Sequence, residues 1–281
     1  MSADGPSFLR LRLGRELREL REARSLRLEE VAAHLGVAAS TLSRIETGKA
    51  PTRTSYLTIL LDLYGVDDAD QRRRLADIAR EGQRKSWWSD YEDLITAETG
   101  RYLGLEAAAA QVRSWSVLAV PGLLQTADYA EAVVRATRPE LSASQARRLA
   151  AIPLGRQTMA RNSGRRLNLI IDEAALIRPV APPDVMTDQM QHLATATADP
   201  SVTVKVVALT APRPILSPSF ALLNFSDLDD PGVACCEGVG GQLLLTQHAE
   251  QVSSLHSTFA ALSRAALSPA ATKDLIKHFS P

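Results

Sequence analysis

Two cysteines in 281 residues, adjacent at 235 and 236, exclude a disulfide framework and any CxxC site. Aromatic residues are only 5% of the chain, and its five histidines, at 34, 192, 248, 256 and 278, have no metal-ligand spacing. No run approaches the ~18 consecutive apolar residues of a membrane span. The arginine-rich start, "MSADGPSFLRLRLGRELREL", holds no hydrophobic block with a cleavage site. Net charge is zero, with 32 basic and 32 acidic residues, so no strong field marks the whole chain. The balance hides a split: residues 1–85 hold 16 Lys/Arg against 13 Asp/Glu, and the remainder holds 16 against 19. That excess permits a nucleic-acid partner without identifying one. Catalytic signatures are missing too: there is no GxSxG elbow, P-loop or dinucleotide fingerprint. "GVGG" at 238–241 lies between two strand patterns and reads as a turn. The expectation is a cytoplasmic protein that is not an enzyme and needs no cofactor or metal.

What is present falls into two halves. Residues 8–82 read as five short helices. Leu9, Leu13, Leu17 and Leu20 form one apolar stripe. Leu28, Val31, Ala32 and Leu35 form a second helix, stopped by Gly36. Leu42 and Ile45 face inward in a third, stopped by Gly48. A fourth buries Tyr56, Ile59, Leu60 and Leu63 and stops at Gly65; a fifth, capped by Asp67 or Asp68, buries Leu75 and Ile78. Residues 83–113 read as a helical connector, with Trp87 and Trp88 packing where the parts meet. Residues 114–281 read as an α+β domain. In it Thr126 caps an amphipathic helix, residues 142–161 form another, and Ala249–Leu267 begins a helical end. Strands are expected at 166–172, 202–209, 220–225, 233–239 and 242–246, in a small, mostly antiparallel sheet. "APRPILSPS" reads as a proline-rich loop and "EGVGGQ" as a hairpin turn. Asp172 reads as a helix cap.

Two helices joined by a tight turn at Gly36 are a helix-turn-helix arrangement. Val37 in the turn plugs the gap between them. In this arrangement the second helix enters the major groove N-terminus first. Ala38, Ala39, Ser40 and Thr41 are short enough to permit close approach, and hydroxyls and methyl groups there can meet base edges.

Residues 13–65, through "LGRELRELREARSLRLEEVAAHLGV" and "STLSRIETGKAPT", resemble the XRE-type, lambda-repressor-like helix-turn-helix domain. "WWSDYEDL", "YLGLEAAAAQVRSWSVLAVPGLLQTADYAEAVVRA", "IDEAALIRPV" and "FALLNFSD" extend the resemblance over nearly the whole chain. They are similar to actinobacterial regulators, WhiJ-like or antitoxin-like, that fuse this domain to a C-terminal domain of uncharacterised function. The resemblance implies a transcriptional regulator that binds double-stranded DNA, and a small partner protein encoded by a neighbouring gene; a homodimer is expected because a neutral chain with weak phosphate contacts would bind only modestly alone. It places the recognition helix at about Ala39–Thr47, Arg44 and Lys49 near phosphates, and Ala39, Ser40, Thr41, Ser43 and Thr47 at the DNA surface. Glu46 is expected to pair within the fold. Where the family commonly carries a polar residue and Ser, this chain has Leu28 and Ala38; Arg27 would supply the phosphate contact in place of the former. The alternatives are a small-molecule-sensing regulator and an interaction protein with a weak reading head.

Overall fold

The computed structural model describes residues 5–211, 216–226, 232–238 and 241–279. The chain divides into two compact units, Met1–Ser89 and Asp90–Pro281. None of the described helices is long and apolar enough to cross a membrane.

The first unit is helical: α1 (Pro6–Ala23), α2 (Leu28–His34), α3 (Ala39–Glu46), α4 (Thr54–Leu63) and α5 (Ala69–Glu81). Leu9, Leu13 and Leu17 of α1 meet Val31, Ala32, Leu42, Ile45 and Leu75 in one core. Gly36, Gly48 and Gly65, with φ of 68°, 67° and 64°, each follow a helix in the left-handed conformation. Asp68 caps α5 by accepting from the Asp70 N–H at 3.0 Å. The fourth helix is rotated from its expected face. Leu57, Leu60 and Leu61 are the residues it buries, with Tyr64 just beyond, whereas Ile59 is 37% exposed. Two overlapping apolar stripes exist in "TSYLTILLDL", and packing against α5 selects one of them.

The second unit is α+β. A short 3-10 turn (Trp87–Tyr91) spans the division, with Trp88 buried and its ring edge-on to Trp87. Then follow α6 (Ala97–Ala108), β1 (Gln111–Ser116), α7 (Ala127–Thr137), α8 (Ala143–Asn162), β2 (Arg166–Asp172), α9 (Glu173–Ile177), α10 (Pro183–Ala196) and β3 (Val202–Val207). The remainder holds β4 (Phe220–Asn224), β5 (Val233–Glu237), β6 (Leu243–Thr246), α11 (Ala249–Ala265) and α12 (Pro269–His278). Thr126, Ser142 and Asp172 cap α7, α8 and α9 with their side chains. Residues 212–215 of the proline-rich loop and 239–240 of the expected hairpin turn lie outside the described residues.

The sheet corrects the expectation in two ways. It has six strands in the order β3-β2-β1-β4-β5-β6, and it is mixed. β1 pairs parallel with β2, and β2 with β3, because helices carry the chain between them. The β1–β4, β4–β5 and β5–β6 pairs are antiparallel. β1, central in the sheet, begins inside the segment read as connector. Its sequence, "QVRSWS", is too polar to announce a buried strand. Its polar residues have local reasons: Arg113 meets His256 Nδ1 at 3.2 Å, and Ser114 lies on the face opposite Trp115.

That alternation builds two different faces. Trp115, Ile170, Phe220, Leu222 and Ala234 pack under α11, against Val252, Phe259 and Leu262. On the other face Ser114, Ala221 and Cys235 stand side by side on β1, β4 and β5. Three small side chains in one row leave a cavity of about 310 Å³, walled also by Tyr102, Leu149 and Arg156. Beside it, the "VPGLLQT" segment (120–126) is held by buried glutamines. Gln125 Nε2 donates to Val120 O, Gln157 Nε2 to Gly122 O and Gln125 O, and Gln189 Nε2 to Leu124 O. Gln189 Oε1 in turn accepts from the Thr126 N–H at 2.8 Å. The motif is therefore a backbone loop whose carbonyls are satisfied by side chains from two helices.

Candidate nucleic-acid interface

The turn between α2 and α3 is closed by backbone bonds from Gly36 N to Ala33 O (3.1 Å) and Val37 N to Ala32 O (3.0 Å). Gly36 meets nothing within 4 Å of an added Cβ, so it serves the left-handed turn alone. Val37 and Leu28 are half-buried against the core. Leu28 is thus spent on packing.

Helix α3 is anchored at its far end. Glu46, 4% exposed, accepts from Arg21 Nε at 2.7 Å and from Arg21 Nη2 at 3.0 Å. Arg21 Nη1 also donates to Leu26 O at 2.8 Å. The hydrogen bond from Arg21 to Glu46, offset by burial and reinforced by the carboxylate's charge, holds the guanidinium above its ordinary value. Gly14 of α1 lets the helices touch: a Cβ there would stand 2.6 Å from Glu46 O and closer still to Ile45 O. Gly48 makes the second close approach, with an added Cβ 2.6 Å from Leu11 Cα. The carboxylate that would repel phosphates is thereby turned into the fold.

At its near end, α3 is preceded by Ala38, which supplies no side-chain cap. Of its first-turn amides, the Thr41 N–H donates to Ala38 O at 2.9 Å, and a helix N-terminus favours anions. Ser40 is exposed, Thr41 and Ser43 are half-exposed, and Ala39 packs partly against the core. Thr47 Oγ1 donates to Ser43 O at 2.7 Å and so closes the helix end.

Charge separates the cations of this unit. Arg18, Arg27, Arg72, Arg73, Arg74, Arg80 and Arg84 each pair with a carboxylate. Arg44 and Lys49 are exposed and make no ion pair among the described residues. Arg53, just beyond, is also exposed, and its guanidinium stands 5.7 Å from the Tyr56 ring centre. Arg10, Arg12, Arg24 and Lys85 likewise show no ion pair among the described residues; Arg44, Lys49 and Arg53 are the unpaired, exposed cations that lie in and just after α3. Arg53 was missed from the sequence, though its spacing from Arg44 and Lys49 was visible there. Arg27 is placed differently: the Glu30 carboxylate accepts from its Nε at 2.9 Å and from its N–H at 3.0 Å. Any phosphate contact by Arg27 would have to compete with Glu30.

Among the described residues, no group of His, Cys, Asp and Glu could hold a metal ion. Burial pushes both thiols up, Cys235 further with the carboxylates and thiol around it, so neither is an activated nucleophile.

Residues 12–75 match a family model described as a helix-turn-helix domain. Residues 99–278 match a second, described as a domain of unknown function, DUF5753. No curated protein and no solved structure matches the chain. With that second match extending over more than half its length, the chain belongs to the DUF5753 family, and a helix-turn-helix domain precedes the shared domain in its sequence.

Proposed function

We propose that this protein is a sequence-specific, DNA-binding transcriptional regulator of the XRE type, acting in the cytoplasm as a homodimer. One observation carries the reading. Helix α3 is locked to α1 by the Arg21–Glu46 pair, while its small N-terminal residues and the unpaired cations Arg44, Lys49 and Arg53 remain exposed. Ser40, Thr41 and Ser43 meet base edges or backbone, and the cations meet phosphates. With a neutral chain, one reading head gives modest affinity. A dimer placing two such helices ~34–36 Å apart reads two half-sites together.

The second unit is the regulatory part. Resemblance to WhiJ-like and antitoxin-like regulators supports control by a small partner protein encoded next door. A second reading, control by a small molecule, is favoured by the cavities of this unit, since ligand sites are concave and largely apolar with a few convergent polar groups. A gel-shift of the full chain on its own promoter region, with and without the neighbouring small protein, tests the proposal. A specific shift altered by the neighbour establishes partner control; a specific shift indifferent to it favours the small molecule. Absence of any specific shift would sink the regulator reading and leave an interaction protein with a weak reading head.

A further inference from the structure

Arg156 of α8 is part of the wall of the cavity beside the small-residue row, and three contacts fix where it points. Its Nε and Nη2 donate to the two Glu106 oxygens at 2.7 and 2.6 Å. Its guanidinium carbon stands 5.5 Å from the Tyr102 ring centre. Its Nη1 lies over Gly122, where an added Cβ would stand 2.7 Å from it. That glycine belongs to the glutamine-held loop and its carbonyl accepts from Gln157 Nε2 at 3.0 Å, so the loop is fixed beside the arginine. Nη1 itself has no acceptor among the described residues and is not sealed from solvent, on a side chain 17% exposed. The cavity wall therefore carries a positioned donor with nothing to donate to.

The charge behind this donor is already neutralised. Glu106, 1% exposed, holds Arg156 at two points and accepts from Tyr102 OH at 2.6 Å. Arg138, also in the wall, pairs with Glu140, and the Glu237 carboxyl bonds to Ser219. Arg165, the neighbouring guanidinium, is turned onto the Ala107 and Ala109 carbonyls and is not part of the wall. An anion entering here would lose its water and meet a guanidinium whose counter-charge is in place. A guanidinium only donates, so the group that fits Nη1 is an uncharged acceptor oxygen. A carbonyl suits it better than a hydroxyl, which brings a proton needing an acceptor of its own.

We propose that this cavity binds an uncharged, largely apolar carbonyl compound, its oxygen accepting from Arg156 Nη1 and its body lying against Leu94, Leu103, Leu149 and Ile152. The volume of about 310 Å³, room for about ten waters at ~30 Å³ each, suits a ligand of roughly ten non-hydrogen atoms. Apolar walls with one convergent polar group are the usual make-up of such a site. The donor is held in place before the ligand arrives, by Glu106 and by the Tyr102 ring, so binding costs little ordering. The proposal rests on the small-molecule reading of this unit only for its regulatory consequence.

Equilibrium dialysis of the full chain against benzylacetone and hydrocinnamate tests it, since the two differ only by a methyl group exchanged for a charged oxygen. The ketone binds, and the carboxylate binds at least about tenfold more weakly, because its charge must be desolvated without a free counter-charge. Ala221→Ile leaves Arg156 in place and fills the cavity from β4 with a good strand residue; ketone binding is lost while the thermal melt stays cooperative. The carbonyl infrared band of the bound ketone reports the hydrogen bond itself. In the double variant Arg156→Met, Glu106→Leu, which removes donor and counter-charge together, that band moves to higher frequency. An unmoved band, equal or tighter binding of the carboxylate, undiminished binding by Ala221→Ile, or no uptake at about 1 mM ketone would overturn the site. A gel-shift with benzylacetone reads the other question. If a chain that binds the ketone shifts DNA unchanged, the sensing reading fails and the site stands.

Discussion

Arg21 and Glu46 are 25 residues apart and form a two-point ion pair that ties the last residue of α3 to α1, at 2.7 and 3.0 Å. Removing one partner strands the other charge in the core. Glu46→Ala is expected to destabilise the first unit by roughly 3–5 kcal/mol and to abolish specific DNA binding with it. The double variant Arg21→Met, Glu46→Leu should recover most of the stability, because it removes both charges. Urea unfolding of the three chains decides the point. A double variant no more stable than Glu46→Ala would show that the pair is not coupled as described.

Three glycines of the first unit separate strain from contact. Gly36 has φ of 68° and open space, so Gly36→Ala should cost about 1–2 kcal/mol, the left-handed penalty alone. Gly48 has the same conformation and also touches Leu11, so Gly48→Ala should cost clearly more. Gly14 lies mid-helix, where alanine alone would gain ~1 kcal/mol. The carbonyls of α3 reverse that sign. Thermal melts that rank Gly36→Ala as the most damaging of the three would contradict this ordering.

The first unit was legible because each helix carries its own stop and its own stripe. Leu9, Leu13 and Leu17 can be buried in only one way, and Gly36 and Gly48 mark the turns without ambiguity. The face of α4 was not legible, since "YLTILLDL" offers two stripes and only tertiary packing chooses. β1 was hidden for a different reason. A central strand is usually announced by apolar residues, but Ser114 borders a cavity and Arg113 bonds to His256, which lies 143 residues away. Parallel pairing was equally invisible, because nothing in β2 or β3 records the neighbour it will find. At the candidate interface the short residues 38–41 were readable, whereas the pairing of Arg27 and the freedom of Arg53 depend on distances no sequence carries.

The distinction between paired and unpaired cations predicts unequal salt effects. Arg44→Ala and Arg53→Ala should each weaken binding to every DNA sequence and reduce the slope of log K against log salt by about one unit. Arg27→Ala should change that slope less, since Glu30 already neutralises it. Ser40→Ala and Thr41→Ala should instead alter base preference, by ~1–3 kcal/mol at the affected position. Fluorescence anisotropy across a salt series checks the first three, and selection from random duplexes checks the last two. Equal slopes for the parent and Arg44→Ala would remove Arg44 from the phosphate contacts.

In the second unit, pH gives access to Glu106. Burial alone would push its carboxyl up, but the charge of Arg156 and hydrogen bonds from Arg156 and Tyr102 outweigh it and leave the group below its ordinary value. A carboxyl with a depressed native value contributes stability that is fully present above its unfolded value of ~4.3 and is lost as pH falls through the native one. Glu106→Gln removes that contribution and leaves Arg156 buried without a counter-charge, which costs roughly 3–5 kcal/mol near pH 7. The gap between parent and variant should therefore narrow on acidification, because only the parent has Glu106 to protonate. Urea midpoints followed from about pH 7 to about pH 3 measure it. A gap that stays constant across that range would mean that the Glu106 carboxyl is not held below its unfolded value in the native protein.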